Sequence, residues 1–149
     1  MPLLQSALSS SLESFFSDPP ETAAACARKW ADAMRDYTLP IVPPSTTVTI
    51  AAETLAATLT PIFQTSLSAA TTAAAMEAAW AVYAVSVGAG MAPGYVATPP
   101  PGIVGFSGLF GVRPMTHHEA AESFSLSIHI WMATGLAVPV PAGPSVPWS

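Results

Sequence analysis

Leu67-Ser68-Ala69-Ala70-Thr71-Thr72-Ala73-Ala74-Ala75-Met76-Glu77-Ala78-Ala79-Trp80-Ala81-Val82-Tyr83-Ala84-Val85-Ser86-Val87 carries nine alanines and one charged residue. Alanine has the best helix propensity, and its small side chain lets neighbouring helices approach closely. The stretch therefore reads as a long helix of a closely packed helical bundle. Met76, Trp80 and Tyr83 mark the sides of it that fill space. From Thr54 to Val112 the only charged residue is Glu77.

Three further helices are expected before it. Leu4, Leu8, Leu12, Phe15 and Phe16 form one apolar stripe over Leu3 to Phe16, with Ser9, Ser10 and Glu13 mostly opposite. Asp18 is the expected N-cap of a second helix, with Pro19 and Pro20 in its first turn. That helix runs to about Tyr37 on the apolar positions Ala23, Ala27, Trp30, Met34 and Tyr37. Arg28 and Asp32, one turn apart, suit a surface ion pair. Pro40, Pro43 and Pro44 break the chain. The β-branched alternation from Thr46 to Ile50 would suit a short strand but is read as the extended entry to a third helix starting near Thr49, which Pro61 should kink or end.

Beyond Val87 the pattern changes. Gly88 to Met115 is rich in glycine and proline yet holds Tyr95, Val96, Ile103, Val104, Phe106, Leu109 and Phe110. A disordered linker would not expose so many large apolar groups to water. The segment reads as an extended arm packed on its own bundle or on a neighbour. Thr116-His117-His118-Glu119 is a capping box that opens a last helix. This helix buries Phe124, Ile128, Trp131 and Met132 and stops at Gly135. Residues 138–149 contain Pro139, Pro141, Pro144 and Pro147 and read as a polyproline-like tail. The expected class is all-α: one domain over residues 1–137, a bundle of four to five helices with the long Gly/Pro-rich arm at 88–115, followed by the tail.

Composition narrows the function classes. Charged residues are 9% of the 149, hydrophobic residues 51%, and mean hydropathy is +0.48. An ordinary soluble domain has roughly 25% charged residues. Either a membrane or neighbouring subunits would account for so little polar surface. Ala78 to Ala92 is uncharged but only fifteen residues long, against the roughly twenty a spanning helix needs. No Lys or Arg flanks it, so the membrane reading, a small holin-like protein, is the weaker one. With a net charge of −5 and only Arg28, Lys29, Arg35 and Arg113 as cations, nucleic acid is not an expected partner. Cys26 stands alone, which excludes an intramolecular disulfide. The opening Met-Pro-Leu-Leu-Gln lacks the basic start of a secretory signal, so synthesis in the cytoplasm is expected.

Candidate chemistry is thin. His118, Glu122 and His129 lie near one face of the last helix. The two histidines, eleven residues apart, are separated by about 16 Å and cannot share a metal ion. His118 and Glu122 supply two ligands where a closed zinc site needs four. Glu119 and Glu122 suit the N-terminus of a helix, and Glu53 and Glu77 are isolated. Gly88-Ala89-Gly90 lacks nucleotide-binding spacing, and Ser107 misses the spacing of a nucleophile elbow. No enzyme, metal or cofactor is expected. An enzymatic alternative would need a pocket gathering His118, Glu122 and Glu53. Trp30, Trp80 and Trp131 read as core. Trp148, held between prolines, reads as an interface knob.

Val42-Pro43-Pro44-Ser45, Gly88-Ala89-Gly90-Met91-Ala92-Pro93, Ala97-Thr98-Pro99-Pro100-Pro101-Gly102 and Pro147-Trp148-Ser149 resemble small Ala-rich proteins encoded among the structural genes of tailed bacteriophages. The similarity runs over most of the chain after about residue 28. The resemblance implies a virion component, plausibly of tail, baseplate or neck, and transfers no catalytic residues. The expected function is thus a structural protein that connects neighbouring subunits through its arms, with Tyr95, Val96, Ile103, Phe106, Phe110 and Trp148 as interface residues. Its expected partners are other virion proteins and further copies of itself. A capsid decoration (cement) protein is the alternative within the virion, and a Pro-rich ligand whose tail is read by another domain is the alternative outside it.

Overall fold

The computed structural model describes residues 2–110 and 115–149. Its five α-helices among those residues are α1 (Gln5–Ser17), α2 (Ala23–Thr38), α3 (Val48–Gln64), α4 (Ala69–Ala89) and α5 (His117–Met132). Three short strands accompany them: β1 (Tyr95–Thr98), β2 (Leu136–Pro139) and β3 (Val146–Pro147). The chain is mostly helical as expected, but the expected all-α class must be widened by this sheet.

Helix α4 carries apolar residues around its circumference but is covered on one side only. It buries Met76, Trp80, Tyr83, Ala84 and Val87 against α3 and the Phe106–Gly108 turn. Trp30 and Phe124 are the hubs of an aromatic core. Trp30 meets Trp80 edge-on at 5.3 Å, and Phe106 also meets Trp80 edge-on, at 5.1 Å. Phe15 reaches Trp30 at 5.8 Å, and Phe106 continues to Phe124 at 5.4 Å. The edge-to-face arrangement sets ring hydrogens against ring faces, adding electrostatic attraction to the burial of large apolar area.

The end of α4 is closed by the loop before α3. Ser45 Oγ donates to Val87 O (2.6 Å), Thr47 Oγ1 to Ser86 O (2.5 Å), and Thr46 N to Gly90 O (3.0 Å). These donors satisfy carbonyls that a helix C-terminus leaves without partners. The β-branched run at Thr46 to Ile50 is thus no strand: its hydroxyls cap α4, and α3 starts at Val48.

Several local expectations are corrected. The N-cap of α2 is Thr22, whose side chain accepts from Ala25 N, so Asp18, Pro19 and Pro20 lie ahead of the helix. Arg28 bonds across to α3, to Glu53 through both carboxylate oxygens at 2.7 and 2.9 Å, instead of to Asp32. Asp32 pairs with Arg35 at 3.1 Å. The fork of a guanidinium is best used by a two-point contact with one carboxylate, which α2 packing beside α3 provides. Pro61 sits inside α3, which continues to Gln64. Ala57, whose carbonyl loses its donor to Pro61, is exposed and can be solvated.

The tail is not a free polyproline segment. β2 pairs antiparallel with β1, matching Val96 to Val138 and Ala97 to Ala137, and β3 pairs with the other edge of β2. Ser149 and Val42 then exchange both backbone hydrogen bonds, at 2.7 and 3.1 Å. The accessible surface of 7371 Å² matches the roughly 7,100 Å² expected for a compact monomer of this mass. Projecting arms would raise it. The described Gly/Pro-rich residues are folded onto the bundle instead.

Candidate interaction surface

The side chains weighed for chemistry are each held by a structural partner. Glu122 accepts from Ser9 Oγ (2.5 Å) and Gln5 Nε2 (3.5 Å), joining α5 to α1. The Ser9 hydrogen bond, then that of Gln5, holds its carboxyl below the usual range. His118 Nδ1 meets Glu13 Oε2 at 3.1 Å, and this hydrogen bond raises the imidazole. His129 lies about two turns beyond Glu122 and three beyond His118 on the same helix, its Nδ1 2.8 Å from the Tyr37 hydroxyl. Glu53 is held by Arg28, whose hydrogen bond lowers its carboxyl. Buried Glu77 accepts from the backbone N–H of Ser107 at 3.1 Å, fixing the turn that carries Phe106. His118, Glu122 and Glu53 do not converge: the first two sit on the α1–α5 seam, the third on the α2–α3 seam. Among the described residues no three His, Cys, Asp or Glu gather as metal ligands, and no helix is long and apolar enough to cross a membrane.

The six expected interface residues divide. Phe106 is fully buried beside Trp80, and Trp148 is 1% exposed, so neither can anchor a neighbour. Trp148 docks on its own chain because Gly88 and Gly135 leave room for its ring there. Phe110 and Tyr95 are half-buried, Phe110 lying 5.5 Å from Phe124. Val96 and Ile103 are each 63% exposed and remain available. The last part of the expected arm, residues 111–114, lies outside the described residues. Phe110 and Met115, on either side of it, line an apolar depression of about 350 Å³ with Phe16, Trp30, Phe63 and Phe124.

A larger surface went unread in the sequence. On α4, Ala74, Ala78, Val82, Val85 and Ala89 are all exposed along one side. Between the end of this stripe and β1 runs a groove of about 360 Å³, lined by Val85, Ala89, Ala92, Val96 and Pro99. From Val96 the apolar surface passes across the outward face of the sheet through Val138 and Leu136 to Val140. No Asp, Glu, Lys or Arg occurs in residues 78–110 or 123–149, which build this side of the protein. The signal was present in β2, where Leu136-Ala137-Val138 is apolar at every position, as in strands covered on both faces.

Compared with known proteins, the chain matches no family model, no curated protein and no solved structure.

Proposed function

We propose that this chain is a non-enzymatic structural subunit of a bacteriophage virion, a component of tail, baseplate or neck that joins neighbouring subunits. One observation carries the subunit reading: large apolar side chains, among them Val82, Val85, Val96, Ile103, Val138 and Val140, are exposed on a chain with few charges. Apolar area of this extent marks contact surfaces. The placement within a virion rests on the resemblance of the Pro/Gly motifs to phage structural proteins. The engagement of Glu53, Glu77, His118 and Glu122 in seams and turns supports a structural role for groups that could otherwise do chemistry. In this reading the Gly88–Met115 segment and the 138–149 tail connect subunits through the face they present.

Mass spectrometry of purified particles from a host carrying the gene tests the proposal. The chain is expected at a fixed copy number per particle, with sheath, tube or baseplate genes beside its own. Particles that are complete and infectious without it would sink the proposal.

A further inference from the structure

The sheet is a layer short. Its inner face lies on α4, where Ala97 packs towards Gly88. Its outer face, built by Val96, Leu136, Val138 and Val140, is exposed, each of these residues showing between about two-fifths and two-thirds of its surface. An antiparallel sheet with one wet face alternates apolar with polar residues. β2 does not: Leu136 and Val138 face out, Ala137 faces in, and all three are apolar. Outward polar residues, which would keep the face wet, are missing apart from Thr98 at the end of β1.

The adjoining α4 stripe extends the same surface. Val82 and Val85 each show more than half of their surface, and the alanines beside them are exposed as well. Contiguous exposed apolar surface rimmed by polar residues marks contact sites. Among the described residues, the edge of β1 away from β2 is also without a strand. Nothing in Tyr95–Thr98 guards it: there is no lysine, no inward charge and no proline.

Charge identifies the occupant. The net charge of −5 would repel a second copy, yet residues 78–110 and 123–149, which build most of this face, carry no charge, and Glu77 on α4 is buried. Two copies can bring these faces together without opposing any carboxylate. An acidic or basic partner would find nothing to pair with, and an anionic lipid surface would find no Lys or Arg. We infer that the outer face of the sheet and the α4 stripe form a two-fold contact with a second copy of this chain. A two-fold contact uses the same patch on both subunits, so it covers the exposed apolar area of each at once.

The inference deepens the reading of the chain as an assembly subunit and rests on it for its biological meaning, but not for its test. Analytical ultracentrifugation of the full chain over a wide concentration range should show the mass rising from 15.3 kDa towards twice that value. Val96→Lys combined with Val138→Lys should hold it at 15.3 kDa. Val138→Thr keeps the shape and the strand propensity, and should raise the dissociation constant about tenfold. Leu4→Glu, at the exposed position just ahead of α1, should leave the equilibrium unchanged. Circular dichroism checks that each variant is folded. A wild-type chain that stays monomeric, or a dimer indifferent to both sheet substitutions, overturns the inference. A monomer found in virions would remove this contact and leave the virion proposal standing; a dimer absent from virions would do the reverse.

Discussion

Trp148 lies across Gly135 so closely that a Cβ at position 135 would overlap the six-membered part of its indole. The Trp148 N–H donates to the Gly135 carbonyl at 2.9 Å, so backbone and side chain both depend on the contact. Gly135→Ala should therefore destabilise the fold by about 1–3 kcal/mol through overpacking. Trp148→Ala should remove about 3–5 kcal/mol by leaving a cavity. Trp148→Phe should fall well short of that loss, because the buried indole Nε1 has no hydrogen-bond partner to forfeit. Urea unfolding of the three variants orders them, and a Trp148→Phe protein as unstable as Trp148→Ala would contradict the packing account.

Gly90 presents a second close approach. A Cβ there would meet Thr47 Oγ1, Ser45 Oγ and the backbone N of Thr47, the segment that closes the end of α4. The side chains could rotate away only by releasing the carbonyls of Ser86 and Val87. Gly90→Ala should cost about 2 kcal/mol or more, combining overpacking with lost caps. Gly94→Ala, where a Cβ would meet nothing within 4 Å, is the control and should be close to neutral in thermal denaturation.

Tyr83 reaches from α4 into α2, where its hydroxyl donates to Met34 O at 3.1 Å and lies 2.5 Å from Thr38 Oγ1. Burial pushes the phenol above its ordinary range. Tyr83→Phe removes one buried hydroxyl but leaves Thr38 bonded to Met34 O at 2.7 Å. The expected loss is about 1 kcal/mol. A loss above about 3 kcal/mol in equilibrium unfolding would mean that the hydroxyls act as one cooperative unit.

The α1–α5 seam should respond to pH. Glu13 raises the folded His118 above its ordinary 6.5, so this contribution is complete below pH 6.5 and disappears as pH rises through the raised value. Ser9 and Gln5 lower the folded Glu122 below its ordinary 4.5, so its contribution is complete above pH 4.5 and disappears as pH falls through the lowered value. Both are present between pH 4.5 and 6.5. The thermal midpoint should decline as pH rises past 6.5, and His118→Gln should flatten that decline. An equal slope in the variant would remove His118 as its source.

Local signals were the legible ones. Thr116 and Glu119 form both halves of the capping box, because that motif is complete within four residues. The alanine-rich α4 was legible from helix propensity and α1 from its apolar stripe. Competition between equivalent groups was not legible: Asp18 and Thr22 are both good caps, and only the packing of α2 selects Thr22. Arg28 had a carboxylate one turn away, but the one across the helix pair took it. The sheet was hidden because β1 and β2 are far apart in the chain and proline masks the strand pattern of the tail. In the exposed surface, Val96 and Ile103 stood out by lying outside helices. Val82 and Val85 did not, since an all-apolar helix reads as core on every side.

The bridge between Val42 and Ser149 also places a constraint on time. β1 leaves the ribosome long before β2 and β3, and its partners do not exist until residues 136–149 are made. Helices can form from local contacts while synthesis continues, whereas the sheet must wait for its distant strand. The surface assigned to self-association is therefore completed only after the described helices have been made. Neighbouring nascent chains on one message cannot pair through it prematurely. A chain ending at Thr134 should keep much of its helical circular dichroism yet fail to dimerise in the ultracentrifuge.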